Sequence, residues 1–400
     1  MPTTQDGVAI IGGGIAGMAL ALSLAAQSIP STIYESRSEV PLPHRAGGGM
    51  MLCPNALRIL DSLGLYESLL SKAYSFDYVY YKNSEEATVD RYPLGGGAAE
   101  FGYDAVRIFR QELVDILTKA CRERGVAVEY GKRFVRVIEE DKAGVEFEFR
   151  DGGRRRAGLL VGADGIHSRV RSTWVAPDVE PSFVGLAALT YAVPTAQLRV
   201  PADKDYRFPV SVASRNGVFV LAPQGADGGE MLAGTQVPFD AGRAALGREA
   251  LMADKEALKT RLRAGEENWP DVVRGGRRAG GRVLVLGDAA HAIPPTTGQG
   301  ASMALEDAAS LALVIKRVGE SQGKIGCEEG LGFWQEMRRE RLGELVVLTK
   351  MLNNKRLPSD KLAALPREEV WCEEGERQME WLYMPKIEDR IEEWVKEKAQ

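Results

Sequence analysis

LVLGDAAHAIPPTTGQGASMALED, residues 284–307, is the stretch of the chain that decides its fold. It starts inside a short apolar run, residues 282–286, whose two β-branched valines predict a buried strand. Two adjacent prolines exclude helix from the loop that follows, and Gly298 and Gly300 permit unusual backbone angles there. Beyond the loop, small apolar residues recur at helical spacing. The stretch therefore predicts a strand, a loop and a helix that begins near Gly300.

An acidic side chain and a helix end meet in this predicted loop. Asp288 comes just after the strand, at the carboxyl edge where open α/β sheets bind ligands. The helix that begins near Gly300 and Ala301 presents free N–H groups and a positive dipole to the same loop. Such a site suits a polyhydroxylated chain that ends in an electron-poor ring, because the acid accepts from a hydroxyl and the helix end favours negative charge.

The order G-D-A-A-H-x-x-P-P-x-x-G-Q-G, residues 287–300, resembles a motif of the class A flavoprotein monooxygenases, the family of p-hydroxybenzoate and salicylate hydroxylases. In that family the motif binds the ribityl chain of FAD. The resemblance implies that Asp288, Gly300 and Ala301 contact FAD. It also makes Pro295, in the same loop, a weak candidate for contact with the substrate.

A second ligand-binding pattern lies at the start of the chain. Gly12, Gly14 and Gly17 form a G-x-G-x-x-G turn between a four-residue apolar strand and a small-residue helix, and Glu35 closes the next strand. The first glycine makes the turn, the second lets the backbone approach a pyrophosphate, and the third packs helix against strand. Glu35 is expected to accept from the adenosine ribose. The pattern predicts a dinucleotide and does not separate FAD from NAD.

Two further segments resemble flavin contacts of the same family. Residues 44–55 are similar to a glycine-rich segment that lies along the flavin, which makes Gly48 and Gly49 candidate contacts. Arg45 stands at the mouth of this loop, either as a solvated arginine or as a partner for a nicotinamide cofactor's phosphate. The R-x-x-L-x-x-x-L pattern that starts at Arg110 is also like the family, where the arginine contacts FAD; a salt-bridging helix arginine is the alternative.

A third fingerprint, residues 162–171, follows a predicted buried strand at 159–161. It closely resembles the family's D-G motif, which is associated with FAD and with the nicotinamide cofactor. Asp164 is expected to hold this loop under the pyrophosphate, unless it serves only a structural Asp-Gly turn. His167 is predicted to be a loop residue rather than a base, and His291 is expected to pack the loop of the first motif.

The resemblance and the strand pattern together imply an α/β fold: a Rossmann-type FAD-binding domain interleaved with a β-sheet substrate domain, followed by C-terminal helices. The expected limits are FAD-binding parts at 1–74, 99–180 and 280–345, substrate-sheet parts at 75–98 and 181–279, and C-terminal helices at 346–400. Periodicity predicts the following elements: helices at 56–70, 111–117, 246–263, 333–352, 365–380 and 387–398; meander strands at 126–130, 133–139 and 145–150; and strands at 78–92, 184–193, 205–212, 218–221 and 231–237.

The family resemblance does not identify the residues that bind the substrate. Many relatives carry a Trp-Arg pair in the first strand of the 181–279 segment, where this chain has Leu189-Thr190-Tyr191. The usual arginine candidate is therefore absent from that strand. Tyr191, Phe208 and Phe219 are weak candidates for the substrate pocket, and core packing is the favoured alternative for each.

Composition narrows the class of protein. A net charge of −5 over 400 residues recommends neither nucleic acid nor an anionic membrane as a partner. Four scattered cysteines have no metal-ligand spacing and suggest reduced thiols in a cytoplasmic protein, so no metal is expected. The N-terminus lacks the features of a signal peptide, and no apolar run reaches the ~20 residues that a bilayer requires. A soluble enzyme is predicted; its oligomeric state is not.

The resemblance implies an FAD-dependent monooxygenase. NAD(P)H, a transient co-substrate, would reduce FAD, O₂ would add to give a flavin C4a-hydroperoxide, and one oxygen would hydroxylate or epoxidise an electron-rich aromatic or alkene small molecule. One dinucleotide turn fits this scheme, because the hydroxylases bind NAD(P)H without a second Rossmann domain. No catalytic base stands out. A flavin halogenase of the same fold is the first alternative, although its W-x-W-x-I-P signature is absent; a non-enzymatic relative without flavin is the second.

Overall fold

A computed structural model of the chain describes residues 7–39, 48–95, 98–179, 186–214, 217–238, 282–293, 295–355, 357, 362, 364–372 and 378–399. The strands of these ranges are, in chain order, β1 (Val8–Ile11), β2 (Ser31–Tyr34), β3 (Gly49–Leu52), β4 (Tyr74–Phe76), β5 (Tyr78–Lys82), β6 (Thr88–Pro93), β7 (Ala105–Phe109), β8 (Ala127–Glu129), β9 (Phe134–Glu140), β10 (Val145–Phe149), β11 (Arg154–Ala157), β12 (Leu159–Gly162), β13 (Leu186–Pro194), β14 (Val210–Ser214), β15 (Gly217–Gln224), β16 (Glu230–Pro238) and β17 (Val283–Val285). The helices are α1 (Ile15–Ala26), α2 (Pro54–Ser62), α3 (Tyr66–Leu70), α4 (Ala98–Phe101), α5 (Arg110–Glu123), α6 (Gly300–Glu320), α7 (Cys327–Asn354), α8 (Glu380–Tyr383) and α9 (Ile387–Ala399).

A five-stranded parallel sheet in the order β17-β12-β1-β2-β8 forms the centre of the molecule. Its inner strands are continuous apolar runs because helices cover both faces of such a sheet. β1 is buried along its whole length between β2 and β12. The three strands that precede the sequence fingerprints, β1, β12 and β17, are adjacent and parallel, so their carboxyl ends share one edge. The predicted α/β fold with a Rossmann-type sheet is confirmed.

Two helices pack closely at this edge because the residues between them are small. Gly287, just after β17, has a left-handed backbone with φ of +57°. A Cβ added to Gly287 would lie 3.1 Å from Cβ of Ala16 in α1 and 3.2 Å from Cβ of Ala304 in α6. A larger residue at any of these three positions would push α1 away from α6.

A six-stranded sheet, here called the outer sheet, has the order β13-β16-β15-β14-β5-β6. It joins strands from the predicted 75–98 and 181–279 segments, since β5 pairs in parallel with β14. A three-stranded sheet in the order β3-β7-β4, here called the linking sheet, lies between the outer sheet and the body. This pairing supports the interleaved arrangement, and the exact domain limits remain predictions.

Several element predictions need correction. The single helix expected at 56–70 is two helices, α2 and α3, because Gly64 between them has a left-handed φ of +68°. The sequence predicts a meander strand at 126–130, but β8 joins the parallel sheet beside β2, and the meander consists of β9, β10 and β11. Within 364–372 and 378–380 the predicted helix is only a 3₁₀ turn and the first residue of α8. The helix predicted at 246–263 lies outside the described residues.

The strand predicted at 205–212 is wrong over its first five residues, because β14 begins only at Val210, and the remaining elements follow the sequence prediction more closely. The helix expected at 333–352 is α7, which begins earlier, at Cys327, and the last predicted helix is α9. Ile391 of α9 is fully buried, so this helix packs on the body. No helix of the described ranges combines the length and the apolar character needed to cross a membrane. The same ranges contain no group of three His, Cys, Asp or Glu side chains that could hold a metal ion.

Candidate cofactor and substrate site

The glycine turn after β1 is built by contacts that exclude side chains. Gly12 has a φ of +110°, and a Cβ there would lie 2.5 Å from the carbonyl oxygen of Ala163. A Cβ on Gly17 would overlap the carbonyl oxygen of Gly12. A Cβ on Gly14, by contrast, would meet no protein atom within 4 Å. The first and third glycines are therefore required by the protein's own backbone, whereas the second faces open space, as expected of a residue that a pyrophosphate approaches.

Glu35 lies beside this turn, at the end of β2. Its carboxylate is buried and accepts hydrogen bonds from the backbone N–H of Gly13 at 2.7 Å and of Arg37 at 2.8 Å. Arg37 Nε is also 3.5 Å from the carboxylate. Glu35 thus orders the turn, and its role toward a ribose remains a prediction.

The D-G fingerprint packs directly against the glycine turn. Cα of Asp164 would be 3.0 Å from a Cβ on Gly12. One carboxylate oxygen of Asp164 accepts from the N–H of Arg169 at 2.7 Å and of Val170 at 3.3 Å. The other, Oδ1, is buried without a hydrogen-bond partner among the described residues. The structural role of an Asp-Gly turn is therefore present, and one oxygen remains available for a ligand.

In the motif at residues 287–300, the acidic residue and the helix N-terminus lie where the sequence predicts them. Asp288 lies in a single 3₁₀ turn, Gly287–Ala289, directly after β17. Its side chain is exposed, and it makes no hydrogen bond to any described residue. Gln299 caps α6, and Gly300 and Ala301 form its first turn. Pro295 begins a second 3₁₀ turn, Pro295–Thr297, in the loop between them.

Gly48, Gly49 and Arg110 meet at one point of the linking sheet. The carbonyl of Gly48 accepts a hydrogen bond of 2.9 Å from the backbone N–H of Arg110, the first residue of α5. The Arg110 side chain is exposed, and a Cβ on Gly48 would meet nothing within 4 Å. The strand is therefore open to a ligand at Gly48, whereas the side chains of Gln224 and Arg107 occupy the space beside Gly49. Arg45 lies outside the described residues.

Unpartnered polar atoms gather at the start of α6. The buried side chains of Thr297, Gln299 and Ser302 each retain an atom without a hydrogen-bond partner among the described residues. Buried polar groups are nearly always satisfied, so such a cluster marks a place where a ligand supplies the partners. Together with the open glycines, these atoms fit a dinucleotide whose ring lies at the α6 N-terminus.

A buried network of charges stands behind the same helix. Asp307 accepts from the N–H of Gly287 at 2.9 Å, approaches Nε2 of His291 at 2.6 Å and pairs with Arg338 at 2.7 Å. Burial alone would raise the pKa of Asp307, but His291 and Arg338 together hold it well below its usual value. His291 is thus engaged in positioning the loop, as the sequence reading expected.

The weak substrate candidates are not gathered at this site. Tyr191 is 58% exposed, and its ring lies 6.5 Å from that of Phe219, on the same face of the outer sheet. Strand alternation places Gln224 on the opposite face, which packs toward the body. Phe208 is half-buried beside Tyr206. Core packing is wrong for the exposed Tyr191, and a pocket role for these three residues remains a prediction without support from the sheet geometry.

The sequence did not identify Arg107 of β7, a buried arginine, as a candidate site residue. Arg107 is 5% exposed, and its Nη2 lies 3.5 Å from Oε1 of Gln224 in the outer sheet. The run A-V-R-I-F offered a signal, because a charged residue flanked by β-branched residues in a strand is unusual.

Comparison with known proteins agrees with this site. A family model described as "FAD binding domain" matches residues 5–240 and 267–328. The chain is 31% identical over 327 residues to 3-amino-4-hydroxybenzoate 2-monooxygenase of Streptomyces cremeus, covering 76% of this chain and 77% of the relative. It is 28% identical over 336 residues to 6-hydroxynicotinate 3-monooxygenase of Pseudomonas fluorescens, covering 78% and 83%.

The fold is also shared with a protein of known structure. The crystal structure of Klebsiella pneumoniae HpxO complexed with FAD and uric acid superposes with a TM-score of 0.66 at 23% identity, covering 98% of this chain and 95% of that one. The predicted cofactor, FAD, and the predicted class, oxidoreductase, are confirmed. On the family match and the close relatives, the chain belongs to the family of class A FAD-dependent aromatic monooxygenases.

Proposed function

We propose that this enzyme uses NAD(P)H and O₂ to hydroxylate a small hydroxylated aromatic compound. The convergence of three distant fingerprints at one sheet edge carries the proposal, because it builds a single site for one dinucleotide. The two curated relatives support the aromatic class, since their names place 3-amino-4-hydroxybenzoate and 6-hydroxynicotinate as their substrates. An alkene substrate has no comparable support.

FAD supplies the redox chemistry, namely oxidation of NAD(P)H and activation of O₂. The residues of the chain would bind and orient it. Glu35 would accept from the adenosine ribose, Gly14 would allow the pyrophosphate to approach, and Asp164 would hold the turn beneath it. Asp288, whose exposed carboxylate engages no described residue, would accept from a ribityl hydroxyl.

Other residues would hold the ring end of the cofactor. Gly48 and Gly49 would let the backbone lie along the ring, and Arg110 would contact FAD from the start of α5. The N–H groups of Gly300 and Ala301 would stabilise negative charge on the reduced ring, because a helix N-terminus carries partial positive charge. The protein's further tasks are to exclude water and to orient the substrate ring. A catalytic base is not part of the proposal.

The test is stimulated turnover with the purified protein. We expect a yellow protein that contains FAD, oxidises NADPH slowly alone and faster with a hydroxylated aromatic, and inserts one atom from ¹⁸O₂ into the product. NADPH should bind weakly in titration calorimetry, because the chain has one dinucleotide turn. A colourless protein that cannot be reconstituted with FAD, or a product without the isotope, would refute the proposal.

A further inference from the structure

Arg107 occupies the centre of the linking sheet on the face that meets the outer sheet. In the strand register, Met51 of β3 and Tyr74 of β4 lie directly on either side of Arg107. The neighbouring residues Val106 and Ile108 point the other way, into the main core. The guanidinium is thus held on the side of the sheet that carries Gly49, the predicted flavin contact.

The guanidinium of Arg107 is buried, and no carboxylate of the described residues forms an ion pair with it. Its contact with Gln224, at 3.5 Å, is at the outer limit of a hydrogen bond. Nε has no hydrogen-bond partner among the described residues. Burial lowers the pKa of Arg107 to about 10. An unpaired buried cation is costly, and the cost is removed when an anion binds to it.

The surroundings place this cation beside the proposed flavin ring. A Cβ on Gly49 would lie 2.8 Å from Nη2 of Arg107 and 2.6 Å from Oε1 of Gln224. A Cβ on Gly298, in the loop before α6, would lie 3.5 Å from Cβ of Met51, the neighbour of Arg107. The guanidinium therefore lies where the flavin strand, the loop before α6 and the outer sheet come together.

Gln224 is oriented for the same role. Its amide Nε2 donates to Glu230 at 3.3 Å, which leaves Oε1 directed to Arg107. Gln224 is itself 5% exposed. A neutral acceptor holds the arginine in place without neutralising it, so the positive charge is preserved for a ligand.

We propose that Arg107, positioned by Gln224, binds a carboxylate of the substrate and thereby selects anionic aromatic compounds. The proposal rests on the function proposed above and names the chemical group of the substrate that the site recognises. Arginine suits this task because its planar fork binds a carboxylate through two parallel hydrogen bonds. In this chain the anion-binding arginine comes from the linking sheet, whereas the Trp-Arg pair common in the first strand of the outer sheet is absent.

The experiment compares two probes on the FAD-loaded enzyme, 3-amino-4-hydroxybenzoate and its carboxamide, by perturbation of the flavin spectrum. They have similar size and differ in one group, since the carboxamide lacks the negative charge and one of the two acceptor oxygens. We expect the parent to bind the carboxylate about ten- to a hundredfold more tightly, the range for hydrogen bonds to charged groups. Arg107→Met should abolish this preference and leave carboxamide affinity unchanged, and Arg107→Lys should keep a reduced preference.

Arg136→Met is the matched control, because Arg136 is an exposed arginine of the meander that pairs with Glu148. It should retain the full preference. If Arg107 had only a structural role, Arg107→Met would weaken both probes and FAD alike, and the ratio would not change. That result overturns the proposal, as does a parent enzyme that binds both probes equally or neither.

Failure here is distinguishable from failure of the proposed function. A parent enzyme that contains FAD and oxidises NADPH faster with an uncharged phenol, but shows no carboxylate preference, remains a monooxygenase and refutes only the anion site. An enzyme that binds the carboxylate through Arg107 yet inserts no oxygen from O₂ refutes the proposed function and leaves the anion site intact.

Discussion

At the scale of single residues, the three glycines of the first turn do different work. Gly12 and Gly17 are constrained by backbone atoms of the protein, and Gly14 is not. Gly14 also has an extended backbone, with φ of −84° and ψ of −172°, which alanine adopts without strain. Substitution at the two kinds of position should therefore separate folding from cofactor binding.

Gly14→Ala should leave the stability of the FAD-free protein unchanged and weaken FAD binding about five- to 140-fold, because overpacking against the ligand costs about 1–3 kcal/mol. Gly17→Ala should lower the stability of the FAD-free protein, since its Cβ overlaps the Gly12 carbonyl. Melting temperature and FAD titration on both variants test this. Equal loss of stability in the two variants would show that Gly14 does not face the ligand.

Asp288 gives a second prediction at this scale, because its carboxylate is exposed and engages no described residue. Charge-assisted hydrogen bonds are about twice as strong as neutral ones, so FAD affinity should fall from the parent to Asp288→Asn and again to Asp288→Ala. A displaced flavin ring should also divert electrons from NADPH to hydrogen peroxide. The Asp288→Asn variant saturated with FAD should therefore yield more hydrogen peroxide per NADPH oxidised.

The melting temperature of the two Asp288 variants without FAD provides the control. It should match that of the parent, because no hydrogen bond within the described structure is lost. If instead both variants melt earlier yet keep parental FAD affinity and peroxide yield, Asp288 acts on the loop and not on the cofactor.

The sequence revealed single residues where a fixed local geometry demands one residue type. Gly12, Gly17 and Asp288 were predictable because their constraint comes from a strand, a turn and a helix that are adjacent in the chain. Arg107 was not, because its significance depends on Gln224, far along the chain in another sheet. No local pattern records which strand faces which.

At the scale of elements, helices α6 and α7 are joined by buried charge. Glu306 and Asp307 of α6 meet Arg338 and Arg341 of α7, and Glu306 also accepts from Asn55 of α2 at 2.7 Å. Burial raises the pKa of Glu306, yet the two arginines bring it below the usual value. A buried network of this kind fixes the register of two helices and becomes costly when one partner is removed.

Asp307→Asn should therefore destabilise the protein at neutral pH by about 3–5 kcal/mol, the usual cost of leaving a buried charge unpaired. The pKa of Asp307 is lowered by folding, so its contribution is fully present above the unfolded value of about 4 and is lost as pH falls below it. The difference between parent and variant should shrink between pH 5 and pH 2.

Urea unfolding at several pH values measures that difference. Asp203→Asn is the matched control, because Asp203 is an exposed carboxylate that engages no described residue and should alter stability little at any pH. A constant difference between parent and Asp307→Asn down to pH 2 would contradict the lowered pKa.

Element prediction succeeded where periodicity and boundary residues agreed, and failed where tertiary context decided. The apolar runs of β1, β12 and β17 were clear. The run at 126–130 has the alternation of a meander strand, but its place beside β2 depends on hydrogen bonding to a distant partner. The segment after residue 364 has helical spacing, yet Trp371 is fully buried against Tyr92 at 5.0 Å, and this packing replaces a regular helix.

At the scale of the whole molecule, the chain returns to one sheet edge three times. β1, β12 and β17 are adjacent and parallel although they are separated by more than a hundred residues each. The three strands and their ligand-binding edge could be predicted from the sequence, whereas their adjacency is seen only in the strand register. FAD binding at this edge should therefore add contacts between three segments that the sheet, the close approach of Gly12 to Ala163 and the hydrogen bond from Arg171 to the carbonyl of Ala289 already hold together.

The last prediction follows from this joining. A ligand that binds only the folded state stabilises it by about 2.7 kcal/mol at a hundred times its dissociation constant. We expect FAD at that excess to raise the melting temperature by several degrees. Amide hydrogen exchange should slow together in residues 12–35, 162–171 and 287–300, because one ligand contacts all three.

Asp288→Ala sharpens the test. At a fixed FAD concentration it should show a smaller rise than the parent, because its affinity is lower. At a hundred times its own dissociation constant the rise should be equal, since the stabilisation depends only on that ratio. If exchange slows in one of the three segments alone, the cofactor does not bridge them. The three segments would then be neighbours in the sheet without contacting the same ligand. A ligand that contacts all three should slow exchange in all three, because its binding free energy stabilises every segment that it contacts.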